Sequence, residues 1–185
     1  MNIKLCLYVV SAALAILLTG CASPARIEQM SVEGSPAQRI AQTPMRNNLA
    51  IKDVTGGKET NPMWKSNIGS SELEHALENS LRTVGLLAER QAGRFILTAH
   101  LENVEQPSFG FNLTVTATIN YVVSERSTGK NLINRTLSVP YTAAFGDAFS
   151  ATERMRLANE GAIRVNITQL IDELFLYKIE PVALR

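Results

Sequence analysis

Residues 111–123 limit the fold more than any other stretch, because apolar and polar side chains alternate along them. Phe111, Leu113, Val115, Ala117, Ile119, Tyr121 and Val123 share one side, and Asn112, Thr114, Thr116, Thr118 and Asn120 share the other. A period of two predicts a strand with one dry face and one wet face, and it excludes a helix, whose apolar stripe repeats every 3.6 residues. Threonine suits the wet face because it is β-branched yet polar. Such a strand needs neighbours, and the chain supplies them. Phe95, Leu97, Ala99 and Leu101 alternate with Ile96, Thr98, His100 and Glu102, before a break at Gln106-Pro107-Ser108. Beyond a turn at Ser127-Thr128-Gly129-Lys130, Ile133, Leu137, Val139 and Tyr141 oppose Asn134, Thr136 and Ser138. Leu49 to Val54 reads as a further strand, with Leu49 and Ile51 inward and Thr55-Gly56-Gly57 ending it.

Two segments carry the helical period. Ser71 and Glu74 form a capping box, after which Leu73, Ala76, Leu77, Leu81 and Val84 recur at helical spacing over 71–84. Gly85 is placed to close that helix in the left-handed conformation, with Leu86 packing back on its last turn. Ser150 and Glu153 form a second box. Met155, Ala158 and Ala162 then open a stripe that continues through Ile163, Ile167, Leu170 and Leu174 to about Phe175. The small Ala158 and Ala162 let this helix lie close to the sheet. Arg154, Arg156, Glu160, Arg164, Asp172 and Glu173 are assigned to its outer, solvated side. The element order is β-α-β-β-β-α. It predicts an α+β two-layer sandwich with a mainly antiparallel four-stranded sheet and both amphipathic helices on one face. The single domain is expected over residues 48–178, with 179–185 frayed.

The beginning of the chain has a different character. Lys4 precedes an apolar run from Leu5 to Leu18, the length of a secretory signal and too short to span a bilayer. Leu18-Thr19-Gly20-Cys21 follows it and resembles the bacterial lipobox. That resemblance implies cleavage after Gly20, a diacylglycerol thioether on Cys21 and acylation of the new amino group. Two or more acyl chains make anchoring stable, at about 0.8 kcal/mol per buried CH₂. Ala22 follows the cysteine where inner-membrane lipoproteins of this kind carry aspartate, which implies the periplasmic leaflet of a Gram-negative outer membrane. Residues 1–20 are therefore read as signal peptide. Residues 21–47, rich in Ser, Pro, Gln, Glu and Arg, are read as lipidated cysteine plus flexible tether, with a mean reach of roughly 25–30 Å.

Composition removes several function classes. The 185 residues hold 18 Lys and Arg against 17 Asp and Glu, and losing Lys4 with the signal leaves an even balance. No basic surface for nucleic acid follows. Both cysteines, Cys6 and Cys21, lie at or before the cleavage point, so the folded part has no thiol for a disulfide or a metal. Gly56-Gly57-Lys58 lacks the upstream glycine of a phosphate loop, and Glu59 stands where Ser or Thr would hold magnesium. The Asn-x-Ser/Thr triplets at Asn112, Asn134 and Asn166 read as chance in a bacterial envelope protein. No serine elbow, His-Glu-x-x-His or glycine-rich nucleotide fingerprint occurs. Of the two histidines, His75 falls among polar helix residues. His100 with Glu102 is the best acid–base pair, and it reads as solvated surface. No catalytic residue, cofactor, metal site or small-molecule substrate is assigned.

From about residue 48 to 178 the layout resembles the YajG-type bacterial lipoproteins. The likeness lies in Gly110-Phe111-Asn112-Leu113 leading into the threonine strand, and Gly146-Asp147-Ala148-Phe149-Ser150 before the last helix. The architecture is also similar to that of LptE and of lipoprotein activators of peptidoglycan synthases, which act by binding. The resemblance implies a non-catalytic accessory module in the envelope, tethered at Cys21 and meeting a protein partner; the alternative is a lipid or lipopolysaccharide assembly factor, and a hydrolase ranks below both. Candidate contact positions are Trp64, in the 58–69 loop, and Thr114, Thr116 and Thr118 on the hydroxyl-rich face. The plainer reading of Trp64 is a cap on the end of the core, ahead of a partner anchor. The threonine face reads as plain solvent-exposed sheet, as a flat docking surface, or as leading to an edge that adds a partner strand.

Overall fold

The computed structural model describes residues 23–61, 66–89 and 92–178. The signal segment, Cys21, Trp64 and the 179–185 tail lie outside the described residues. Two short helices, α1 (Ile27–Met30) and α2 (Pro36–Ile40), precede strand β1 (Leu49–Gly56). Helix α3 (Ser70–Thr83) leads to β2 (Phe95–Glu105), β3 (Leu113–Glu125) and β4 (Asn131–Ala143). A 3-10 turn at Phe145–Asp147 then brings the chain to helix α4 (Ala151–Leu176). The strands lie in the order β1-β2-β3-β4. β1 runs parallel to β2, and the other two pairs are antiparallel. The parallel pair requires a crossover, which α3 provides. This is the α+β two-layer arrangement expected from the patterning, with α4 across β3 and β4 and α3 against β1.

Strand β3 is the centre of the sheet, and its alternation holds from Leu113 to Val123. Every second residue there is buried, with Tyr121 the largest enclosed side chain. Phe111 departs from the expected inward set. The strand begins at Leu113, and Phe111 is 76% exposed in the preceding loop, where the extended backbone is lost. At the far end, Glu125 accepts from Arg94 Nε at 3.0 Å, from Arg94 Nη2 at 2.7 Å and from Thr128 Oγ1 at 2.9 Å. The Arg94 hydrogen bond first, and the Thr128 one second, hold the Glu125 carboxyl below the usual carboxylate range. That contribution is present above the ordinary carboxylate pKa and is lost as pH falls through the lowered one.

The helix termini separate two kinds of signal. The N-cap of α3 is Gly69, two residues earlier than the Ser71–Glu74 box predicts, with no side-chain cap. Its C-terminus follows the expected motif. Gly85 has φ +72°, Leu86 N donates to Leu81 O at 2.9 Å and Gly85 N donates to Arg82 O at 3.0 Å, the paired bonds of a Schellman cap. At α4 the Ser150 hydroxyl accepts from Glu153 N at 3.4 Å, as its box predicts.

Helix α4 buries its predicted stripe, with Ala158, Ala162, Ile163, Ile167, Leu170 and Leu174 fully enclosed. It lies close enough to β4 that a Cβ on Gly161 would fall 2.2 Å from the Tyr141 ring. One polar side chain reaches from the helix into the sheet. Asn166 Nδ2 donates to Ala117 O at 3.1 Å and to Leu137 O at 3.0 Å, and Asn166 Oδ1 accepts from the Tyr121 hydroxyl at 3.0 Å. Burial pushes the Tyr121 hydroxyl far above its ordinary pKa, so it stays protonated as the donor. Two residues assigned to the solvated side are in fact buried, Arg154 at 5% exposure and Glu160 at 1%. Glu160 is covered by a chain segment distant in sequence that also pairs its charge, whereas Arg154 is enclosed by the connection just before its own helix.

Glu160 is covered by the segment expected to be a loose tether. Residues 23–47 are folded against the domain, and Ala25, Met30 and Met45 belong to the core. Glu160 Oε1 accepts from Arg26 N at 2.8 Å and from Arg26 Nε at 3.0 Å, and Oε2 accepts from Nη2 at 2.9 Å. The Glu160 hydrogen bond holds the Arg26 guanidinium above its ordinary pKa, against the opposing effect of burial. Val32 N donates to Ser80 Oγ at 2.9 Å, Arg164 Nη1 to Gln29 O at 2.8 Å, and Gln38 Nε2 to Asp172 Oδ1 at 2.7 Å. The polar composition of this segment hid its few apolar anchors, since Met30 and Met45 stand too far apart to show a period.

Two variants test this packing. Gly161→Ala improves helix propensity by about 1 kcal/mol, yet here it is expected to lower stability by roughly 1–3 kcal/mol because the new methyl meets Tyr141. Denaturant melts measure the sign, and Tyr141→Ala added to Gly161→Ala should recover part of the loss. Glu160→Gln is expected to cost about 1–3 kcal/mol by weakening charge-assisted bonds to Arg26. Faster amide exchange at Ile27–Met30, ahead of the rest of the core, is the local readout.

Candidate binding surfaces

Among the described residues no helix covers the polar face of the sheet, and its side chains close on one another. Thr114 Oγ1 lies 2.8 Å from Thr142 Oγ1, and Thr118 Oγ1 lies 3.0 Å from Ser138 Oγ. Asn120 Nδ2 donates to Asn134 Oδ1 at 3.1 Å and to Thr136 Oγ1 at 3.0 Å. Thr116, opposite Pro140, is half-buried. These groups arise directly from the register, because residues paired across β3 and β4 place their hydroxyls within reach. The face is flat and already hydrogen-bonded, so a partner laid on it strips water from few unpaired groups. Strand addition at the β4 edge is a poorer match, because Pro140 lacks the N–H that a continuous ladder needs.

His100 stands on the same side of β2 but not in the arrangement suggested by its spacing from Glu102. The register moves from Leu101 opposite Ile119 to Asn103 opposite Thr118, leaving Glu102 as the extra residue of a bulge. His100 Nδ1 instead lies 2.9 Å from Thr55 Oγ1. His75 is exposed on α3, with Nδ1 donating to Ser71 O at 2.8 Å. Among the described residues no group of three or more His, Cys, Asp or Glu is placed to hold a metal, and no helix is long and apolar enough to cross a membrane.

A second surface lies at the end of the sandwich where α4 begins. The β2–β3 connection presents Phe109, 90% exposed, and Phe111, 76% exposed; the β4–α4 connection presents Phe145, 56% exposed, and Phe149, fully exposed. Four of the chain's six phenylalanines therefore face solvent at one end. The rings are held in place. Phe111 and Phe145 meet edge to face with centroids 5.5 Å apart. Phe145 N donates to Asn112 Oδ1 at 3.0 Å, tying the two loops together. Arg154 stacks its guanidinium 5.0 Å from the Phe145 ring centroid and donates to Ala148 O at 2.8 Å and Phe149 O at 3.1 Å. Phe109 helps to line a groove of about 390 Å³, together with Ser66, Gln106, Leu113 and Met155. Sequence patterning missed this end because the four rings lie in two loops 33 or more residues apart, and it counted Phe111 as core. Phenylalanine beside glycine in a loop, at Phe109-Gly110-Phe111 and at Phe145-Gly146, was the available signal.

No family model matches the chain, and no curated protein matches it. Solved structures do. A Xanthomonas campestris protein of family DUF330 superposes with a TM-score of 0.57 at 14% identity, over 83% of this chain and 94% of that one. A candidate lipoprotein of Caulobacter crescentus gives 0.51 at 11% identity, over 71% of this chain and 90% of that one. At such identities the likeness is one of fold.

Arg154→Lys tests how the aromatic end is held. It keeps the charge but loses the planar fork that spans two carbonyls and a ring, at an expected cost of about 1–2 kcal/mol. Amide exchange should rise at Phe145–Ser150, with the β2–β3 hairpin unaffected.

Proposed function

We propose that the protein is a lipid-anchored, non-catalytic module of the bacterial cell envelope, held through Cys21 on the periplasmic face of the outer membrane and working by contact. The observation that carries this reading is the fastening of Arg26 to buried Glu160 only five residues after Cys21. An anchor so close to a fixed point restrains orientation as well as location, since five residues span at most about 17 Å. A domain held this way keeps its contact surfaces at a constant height and angle, which raises their effective concentration for a partner in the same envelope. The fold shared with a Caulobacter crescentus candidate lipoprotein supports the assignment. The hydroxyl-rich face around Thr114, Thr116 and Thr118 is the partner surface in this reading, because it is flat, uncovered and already hydrogen-bonded.

Cys21→Ser is the direct test. The lipidated protein should fractionate with membranes and carry the mass of its acyl chains. The variant should appear in the soluble periplasmic fraction without that mass, and an unchanged membrane fraction would overturn the reading. A photo-crosslinker at Thr116 should capture one defined envelope protein, and an equal yield from Ser127 at the far turn would remove the sheet face from the proposal.

A further inference from the structure

The contacts of the N-terminal segment define a direction. Arg26 meets Glu160, Gln29 meets Arg164, Gln38 meets Asp172, and Thr43 Oγ1 donates to Leu174 O at 3.3 Å. From residue 26 onward the chain climbs α4 toward its C-terminus, so traced backward it descends toward the start of α4. Glu160 lies nine residues from Ala151, about 14 Å along the helix axis. The five residues from Arg26 back to Cys21 span at most about 17 Å. The lipidated end of the chain can thus reach the end of the sandwich that carries Phe109, Phe111, Phe145 and Phe149.

The chemistry of that end is unlike a protein interface. The connections 106–112 and 144–150 contain four phenylalanines and a single charged residue, Asp147. The Asp147 carboxylate is occupied, accepting from Ala144 N at 2.8 Å. Phenylalanine is also enriched at protein interfaces, but the residues that dominate their binding energy are Trp, Tyr and Arg, whose polar groups find partners across the contact. Bare phenyl rings at the tips of loops suit the boundary between headgroups and acyl chains, where no partner atom has to match them. Among the described residues, the other exposed large apolar side chains, Ile40 and Leu176, lie toward the opposite end of α4.

We propose that this aromatic end is a membrane-contact surface, its four phenylalanines entering the headgroup–acyl boundary of the bilayer that holds Cys21. The inference rests on the anchored reading above and adds an orientation. The sandwich stands on end, with β3 and α4 running away from the bilayer for roughly 40 Å and the β3–β4 turn outermost. The hydroxyl-rich face then looks sideways, parallel to the membrane.

The test uses the full lipidated chain reconstituted in phosphatidylethanolamine–phosphatidylglycerol vesicles. Acylated Cys21 does not react with thiol probes, so single cysteines can be labelled with an environment-sensitive fluorophore. Ser108→Cys and Gly146→Cys leave all four rings in place, and a Cβ on Gly146 meets open space. Ser127→Cys reports on the far turn. The expected result is a blue shift and loss of emission with doxyl-labelled lipid at 108 and 146, with neither at 127. Adding Phe109→Ser and Phe149→Ser, both outside the core, should abolish the shift while the protein still floats with the vesicles. Flotation with labels at 108 and 146 that stay in water would overturn the inference and leave the anchor intact. A blue shift that follows protein concentration, without lipid quenching, would also overturn it by assigning the patch to a second copy. Failure to float at all would remove the anchored reading, and this inference with it.

Discussion

Everything in this sandwich depends on where α4 rests, and a buried amide decides that. Asn166 bridges the carbonyls of Ala117 on β3 and Leu137 on β4, and its own oxygen takes the Tyr121 proton. Apolar contacts alone let a helix slide or rotate on a sheet at modest cost, because dispersion has little directionality. A buried polar group left unpaired costs about 1–3 kcal/mol, so three bonds made together favour one position over its neighbours. That position brings Gly161 against the Tyr141 ring, Glu160 to the N-terminal segment, and Arg154 beneath the aromatic loops. The helix works as a spine whose polar side chains reach outward and inward to order what surrounds it.

Local periodicity made the sheet and both long helices legible in the sequence. The alternation of Leu113 to Val123, the Gly85 cap and the Ser150 cap are each decided within a few residues, so patterning reads them correctly. What it missed depends on pairs remote in sequence. Glu160 looks solvated on any helical projection until Arg26, 134 residues away, is placed over it. His100 and Glu102 look like a pair until the bulge opposite Thr118 separates their registers. The aromatic end needs two loops brought together by Asn112 and Phe145, which neither loop announces alone. Burial of charge and exposure of aromatics are departures from simple patterning here, and the buried Arg154 and the exposed phenylalanines meet at one end of the sandwich.

The folded N-terminal segment changes the mechanics of anchoring. A flexible tether of twenty-six residues would let the domain sample a hemisphere of orientations, and any contact with the membrane or a partner would then carry an ordering cost. With Met30 and Met45 in the core and Arg26 fastened, most of that ordering is done on folding. A lipid anchor at Cys21, as proposed, would therefore act on one body with the folded domain.

Rigidity also explains the division between the two surfaces. Phe145 is braced by a cation–π contact and by the edge of Phe111, and hydrogen bonds to backbone hold the loops, so the rings protrude in the free protein. Braced apolar groups lose little side-chain freedom on burial, which favours their transfer into any apolar medium within reach. The threonine face follows the opposite logic. Its hydroxyls are matched across β3 and β4, so it neither drives association by hydrophobic burial nor resists it by leaving unpaired donors. A surface of that kind binds through shape, and shape is useful only if the face is presented at a constant angle. In the proposed orientation the aromatic end and the short anchored segment would supply that angle, which would make the sheet face dependent on them rather than independent of them.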